Sequence, residues 1–226
     1  MAQNLVEQTT DKIIEYIKNN NIQPGEKLPN EYILSTDLDV GRSTFREAIR
    51  ILISRNILEV RQGSGTYVSD KEGRSTDPFG LTMIRDKTKM ISDFYDMRYV
   101  LEPEVASLAA IHATDEQINE INLLSKEIEQ SFSAGNDDHV ELDIKFHSLI
   151  AKASDNMAYS YILPIINTSI SLFNKNYTDE DAKKFTVKIH REICRAIEER
   201  NPLSAHDAML VHMSNNRIAF KRLIKK

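Results

Sequence analysis

The stretch Val40–Arg55, VGRSTFREAIRILISR, decides the fold. Phe45, Ala48, Ile49 and Leu52 recur at helical spacing and form one apolar stripe. Arg42, Arg46 and Arg50, four residues apart, line the adjacent side together with Ser43. One side of this helix is therefore suited to burial and the other to water or a charged partner. Ahead of it, Asp39-Val40-Gly41 has room only for a tight connection, and residues 30–37 read as a shorter helix. Two helices joined by a few residues that include glycine give the outline of a helix-turn-helix.

Working outward, Leu5 to Asn20 also carries apolar residues at helical spacing, and Pro24-Gly25 ends it with a turn. Downstream, the strand-like runs Leu58–Arg61 and Thr66–Val68 flank Gln62-Gly63-Ser64-Gly65, which predicts a β-hairpin, the wing of a winged helix-turn-helix. From Val40 to Thr66 five arginines stand against two glutamates, a local +3 in a chain whose formal charge is −5. An arginine on the exposed side of such a helix can fork onto O6 and N7 of guanine in the major groove. Ser43 or Thr44 suits a phosphate oxygen. A merely solvated helix face would carry similar arginines, but the helix-turn-helix outline, the wing and the local charge together favour double-stranded DNA as the partner.

Glycine and proline crowd the first third of the chain and are sparse afterwards, which marks a change of architecture. The expected organisation is a winged helix-turn-helix domain over residues 1–69, a polar linker over 70–78 and an all-helical domain over 79–226. The fold class is thus mostly α. Six or seven helices are expected in the second domain: Thr114 and Gln117 have capping-box spacing, Asn136 precedes a long periodic run, and Asn201-Pro202 sets an N-cap before a first-turn proline. Pro103 and Pro164 fall inside helical patterns and are expected to break or kink them.

With 41% hydrophobic and 28% charged residues the composition is globular. No apolar run approaches the roughly 20 residues that cross a bilayer. The opening MAQNLVEQTTDK lacks the pattern of a secretory signal, so a cytoplasmic protein without a membrane partner is expected. Cys194 is the only cysteine, which excludes internal disulfides and thiolate-rich zinc clusters. Any metal centre has to be built from histidine and carboxylate.

Periodicity exposes an anomaly in the second domain. Asp143 and His147 lie four apart in the middle of an apolar helical arc, His190 lies among Val187, Ile193, Cys194 and Ile197, and His212 sits with Ala205, Ala208 and Ala219. Buried ionisable groups need partners. If these four meet, they make an N₃O set suited to Zn²⁺, with Ni²⁺ or Mn²⁺ as alternatives, and leave room for water or an effector oxygen. The alternative is a set of separate, hydrogen-bonded core histidines. Arg98 repeats the anomaly, since Ile91, Phe94, Tyr95 and Leu101 share its face. It needs an anion, either a carboxylate ligand or an internal partner such as Glu102 or Glu104.

The runs Pro24–Glu31 (PGEKLPNE), Val40–Ala48 (VGRSTFREA) and Gly63–Val68 (GSGTYV) resemble the GntR family of transcriptional regulators. That resemblance implies base contacts from Arg42 and Arg46 and places Gly63 at the minor groove. Two positions depart from the family pattern: Tyr32 replaces the usual arginine, and Gly41 the usual Ser or Thr. In the second domain, Arg98 with Leu101-Glu102-Pro103-Glu104, Asp143-x-x-Phe146-His147, His190 and His212 resemble the FCD-type ligand-binding domain of the FadR subfamily. This implies an antiparallel helical bundle, a homodimer, metal ligation by Asp143, His147, His190 and His212, and an organic-acid effector clamped by Arg98.

The expected function is that of a metal-containing repressor that senses a small carboxylate, its dimer placing two recognition helices on a palindromic operator. One rival is a DNA-binding regulator whose helical domain is only a metal-stabilised dimerisation module. The other is a metal-dependent hydrolase, which would need a general base that the inward arcs do not show.

Overall fold

The computed structural model describes residues 4–71, 73, 75, 77, 80, 83–136, 138–171 and 180–223. Residues 1–80 and 81–226 form separate compact units.

In the first unit α1 (Leu5–Asn19) starts with a capping box: the Asn4 side chain accepts from the backbone while Glu7 reaches back to the Asn4 N–H. Asn30 caps α2 (Glu31–Asp37) by accepting from Tyr32 N at 2.7 Å. The connection to α3 (Arg42–Ser54) turns at Asp39, whose φ of +51° is of the kind that Asp tolerates, and Val40 N closes it onto Ser35 O at 3.0 Å. Phe45, Ala48 and Leu52 of α3 are buried with Ile13, Leu34, Leu58 and Val68, so the apolar stripe becomes the centre of this unit's core.

The wing consists of β1 (Leu58–Arg61) and β2 (Gly65–Val68), antiparallel, with Leu58 opposite Val68 and Arg61 opposite Gly65. Residues 26–28 add to its edge through Leu28 N to Thr66 O and Val68 N to Glu26 O, both 2.9 Å. Gly65 suits this position because its φ is +140°, a conformation that residues with a Cβ rarely adopt. Beyond the wing, Ser69 N and Gly73 N donate back to Ile57 O and Asn56 O, so these two residues are tied to the first unit. Residues 72, 74, 76 and 78 of the expected linker lie outside the described set.

The second unit contains α4 (Lys87–His112), α5 (Asp115–Ala134), α6 (His139–Ala153), α7 (Met157–Ser171), α8 (Glu180–Glu198) and α9 (Pro202–Leu223). α9 packs chiefly along α4 and then α8, and α6 lies between α5 and α7 with a further face on α4. The Thr114–Gln117 capping box is present, and Asn201 Oδ1 accepts from Ser204 N at 3.0 Å ahead of Pro202. Of the break or kink expected at Pro103 and Pro164, a break is not seen, because each removes only one backbone bond from a helix otherwise held by tertiary packing, and Pro103 is itself buried. Asn136 does precede a helix, α6, but Asp138 is its N-cap. The Asp138 carboxylate accepts from Ser131 Oγ.

α4 has two dissimilar faces. Arg98, Glu102, Val105, Ala106 and Ala109 point inward, whereas Met97, Val100 and Ile111 are exposed, Val100 to 70%.

Candidate nucleic-acid interface and metal centre

Arg42, Ser43, Arg46 and Arg50 are all exposed along α3, with Thr44 half-buried. Each arginine is already held. The Arg42 guanidinium lies 4.9 Å above the Tyr32 ring, Arg46 Nε donates to Glu31 Oε1 at 2.8 Å, and Arg50 Nη1 lies 3.2 Å from Glu47 Oε2. On the wing Arg61 covers the Tyr67 ring and pairs with Glu59. Much of the local positive charge is thus offset within the fold. Exposed pairs of this kind contribute only about 0–1 kcal/mol, so they yield readily to phosphate or a base edge.

Gly41 is the N-cap of α3 and has no side chain to accept from the first turn, which leaves N–H groups open beside Ser43 and Thr44. Gly63 has a φ of +72° at the wing turn, and nothing lies within 4 Å of where a Cβ would be. Sequence reasoning missed Glu31 as the partner of Arg46. The two are 15 residues apart, and only the angle between α2 and α3 brings them together.

In the second unit, α6 supplies Asp143 and His147, α8 supplies His190, and α9 supplies His212. Their ligand atoms all lie within 4.8 Å of one another, and no other such group occurs among the described residues. His212 Nε2 is 3.2 Å from both His147 Nε2 and His190 Nε2, and Asp143 Oδ1 is 3.7 Å from His147 Nε2 and 3.5 Å from His190 Nε2. All three histidines are buried, and the His190 ring stacks on Phe146 with centroids 4.3 Å apart.

The 3.2–3.7 Å separations are near those that a metal centre needs. Ligands at about 2.0–2.1 Å from a tetrahedral ion stand about 3.3 Å from one another. Hydrogen bonds alone do not satisfy the cluster, because His212 Nε2 also has Asn216 Nδ2 at 3.3 Å and carries at most one proton to share among three neighbours. Burial lowers His190 to about 3, although Asp143 pulls the other way, and burial takes His212 well below the ordinary histidine value. Both rings therefore stay neutral, the form that ligates a metal.

Arg98 is 4% exposed, and its partner is internal: Arg98 Nε lies 2.5 Å from Glu102 Oε1. Of the anions expected for Arg98, the internal one is present, as the i,i+4 ion pair with Glu102. One guanidinium nitrogen, Nη2, is nonetheless buried without a hydrogen-bond partner among the described residues. Glu102 is also an inward acidic group that the sequence reading did not credit. Burial alone would raise its carboxyl, but Arg98 and His147 outweigh that and hold it at about 2. Of the remaining histidines, His112 is exposed at the end of α4, the His139 ring lies tilted against Phe132, and His206 meets Asp207.

A winged helix-turn-helix with exposed arginines, followed by a helical bundle enclosing an acid–imidazole cluster, defines a class of DNA-binding protein. Residues 5–68 match the family described as bacterial regulatory proteins, gntR family, and residues 93–215 match the FCD domain. A solved structure, "Streptococcus agalactiae GntR", is 48% identical and superimposes with a TM-score of 0.86 over 94% of this chain and 98% of that one. The HTH-type transcriptional regulator LutR of Bacillus subtilis is 29% identical over 88% of this chain and 93% of its own length. The putative L-lactate dehydrogenase operon regulatory protein of Escherichia coli is 26% identical over 98% of this chain and 88% of its own length. The chain belongs to the GntR family and carries an FCD domain: it is a DNA-binding transcriptional regulator, and the families and relatives it matches are regulators, not enzymes. Among the described residues, no helix is long and apolar enough to cross a membrane.

Proposed function

We propose that the chain is a homodimeric repressor whose FCD unit holds a divalent first-row transition metal on Asp143, His147, His190 and His212 and senses a small carboxylate beside it. The observation that carries this reading is the convergence of three buried Nε2 atoms and one carboxylate oxygen on a common point. Zinc suits this N₃O set best, with nickel and manganese as alternatives. The ion would act as a Lewis acid toward an effector oxygen.

Charge supports the ligand class. Once the imidazoles act as ligands, a role that requires their neutral form, Asp143, Glu102 and Arg98 leave one net negative charge, and a divalent ion would turn this into one net positive charge in an enclosed place. A monocarboxylate neutralises it. The unpartnered Arg98 Nη2 offers that anion a donor. The name of the Escherichia coli relative, which ties it to an L-lactate dehydrogenase operon, points to the same chemical class.

At the operator, Arg42 and Arg46 would read guanine edges, Ser43, Thr44 and Arg50 would hold phosphates, and Gly63 would bring the wing tip to the minor groove. The dimer would place two recognition helices about one helical turn apart on a palindrome. For the effector to act, its affinity must differ between the DNA-competent and DNA-incompetent states.

A second reading, in which the metal only stabilises a dimerisation module, is favoured by one observation: Glu102 already pairs with Arg98. Metal analysis followed by a thermal-shift screen of zinc-loaded protein against small mono- and dicarboxylates separates the two. A monocarboxylate that raises Tm and alters operator binding supports the sensor. A Tm that responds to zinc and to no acid supports the module.

A further inference from the structure

Glu102 is the most deeply enclosed carboxylate beside the cluster, 2% exposed, and its two oxygens serve two different helices. Oε1 lies 2.5 Å from Arg98 Nε one turn earlier on α4, and Oε2 lies 2.5 Å from Nδ1 of His147 on α6. A carboxylate against Nδ1 keeps the imidazole proton there and leaves Nε2 with a lone pair. That is the nitrogen His147 turns toward His212, 3.2 Å away. His190 and His212 have no comparable anchor: among the described residues no carboxylate pairs with Nδ1 of either ring, and the one that reaches His190, Asp143, does so at Nε2.

Resting on the metal-centre reading, we propose that Glu102 is the positioning residue of this centre: one oxygen fixes the tautomer and direction of His147 while the other holds the Arg98 guanidinium beside it. Ion and anion sites are then set by one side chain, and what displaces Glu102 from Arg98 also acts on His147. A glutamine does not substitute. Its carbonyl oxygen accepts from one partner only, and its NH₂ then faces the N–H of the other. It also leaves the guanidinium charge uncompensated next to the ion.

The test is a zinc titration of the full-length protein, stripped and then competed against a fluorescent chelator of known affinity, for the unaltered chain and for Glu102→Gln. Circular dichroism establishes that the variant is folded. The expected result is one zinc per chain in the unaltered protein and roughly 10- to 100-fold weaker binding in the variant. Equal affinities overturn the inference and leave the metal centre standing; an unaltered protein that binds no zinc overturns both.

A second measurement needs no variant. In a long-range ¹H–¹⁵N spectrum of the zinc-loaded protein, His147 should show a protected, downfield proton on Nδ1 and a metal-bound Nε2. A proton on Nε2, or an Nδ1 proton exchanging freely with water, overturns the assignment even if Glu102→Gln does not fold.

Discussion

Glu31, the first residue of α2, accepts a hydrogen bond from Nε of Arg46 on α3 at 2.8 Å. The first helix of the motif thereby holds the arginine that the second presents. Arg46 is exposed and Glu31 partly so, and a pair in contact with water adds little to folding. Arg46→Ala should leave the unfolding midpoint within error of the unaltered protein. It should weaken operator binding by the worth of one bidentate base contact, about 1–3 kcal/mol, or roughly 5- to 150-fold. Gel-shift titration beside thermal unfolding measures both, and unchanged affinity would count against α3 as the reading helix.

Gly41 stands at an N-cap with φ −66° and ψ 144°, an extended conformation that serine adopts freely, and nothing lies within 4 Å of a Cβ there. Gly41→Ser should raise the stability of the first unit by a few tenths of a kcal/mol, to about 0.5, by capping the first turn of α3. Urea unfolding followed on this unit checks it. A loss of stability would mean that the connection is tighter than its geometry indicates.

His212 has the Nε2 atoms of both other histidines at 3.2 Å, so it is the ligand whose removal opens the centre most. His212→Ala should not retain stoichiometric zinc after dialysis. The unaltered protein should gain about 2.7 kcal/mol of stability at a free ion concentration of 100 Kd, and the variant none. Elemental analysis with a zinc-dependent Tm series decides; one ion per chain in the variant would remove His212 from the set.

Arg98 and Glu102 are a buried pair, with side chains 5% and 2% exposed. Arg98→Met strands the Glu102 carboxylate and should cost about 3–5 kcal/mol in urea unfolding. An effector response lost in this variant must therefore be read against its lowered stability. A loss below about 1 kcal/mol would show that water reaches the pair.

Cys194 is 5% exposed, and burial pushes its thiol up to about 11. The thiolate is the reactive form, so at pH 8 the native protein should resist a disulfide reagent that reacts rapidly after unfolding in urea. Fast native labelling would mean that α8 opens locally.

The recognition helix, the wing and the inward Asp143, His147, His190 and His212 were legible because each rests on periodicity or a short motif within one element. Partner choice was less so. From spacing alone Arg98 could meet Glu102, Glu104 or an external anion, and only the packing of α6 against α4, which brings His147 to Glu102, separates them. Glu31 was invisible for the same reason, since helix angles and not intervals bring it to Arg46. The prolines do not break α4 and α7, because a rule about isolated helices meets there helices supported by their neighbours.

On α4, Met97 and Val100 alternate in sequence with the inward Arg98, one or two residues away along a stiff rod. Any nudge that a bound molecule gives to the guanidinium, whether a turn of the helix or a slide along it, must carry those outer side chains with it. The interior chemistry and the protein's outer surface share a lever, and no loop has to relay the message.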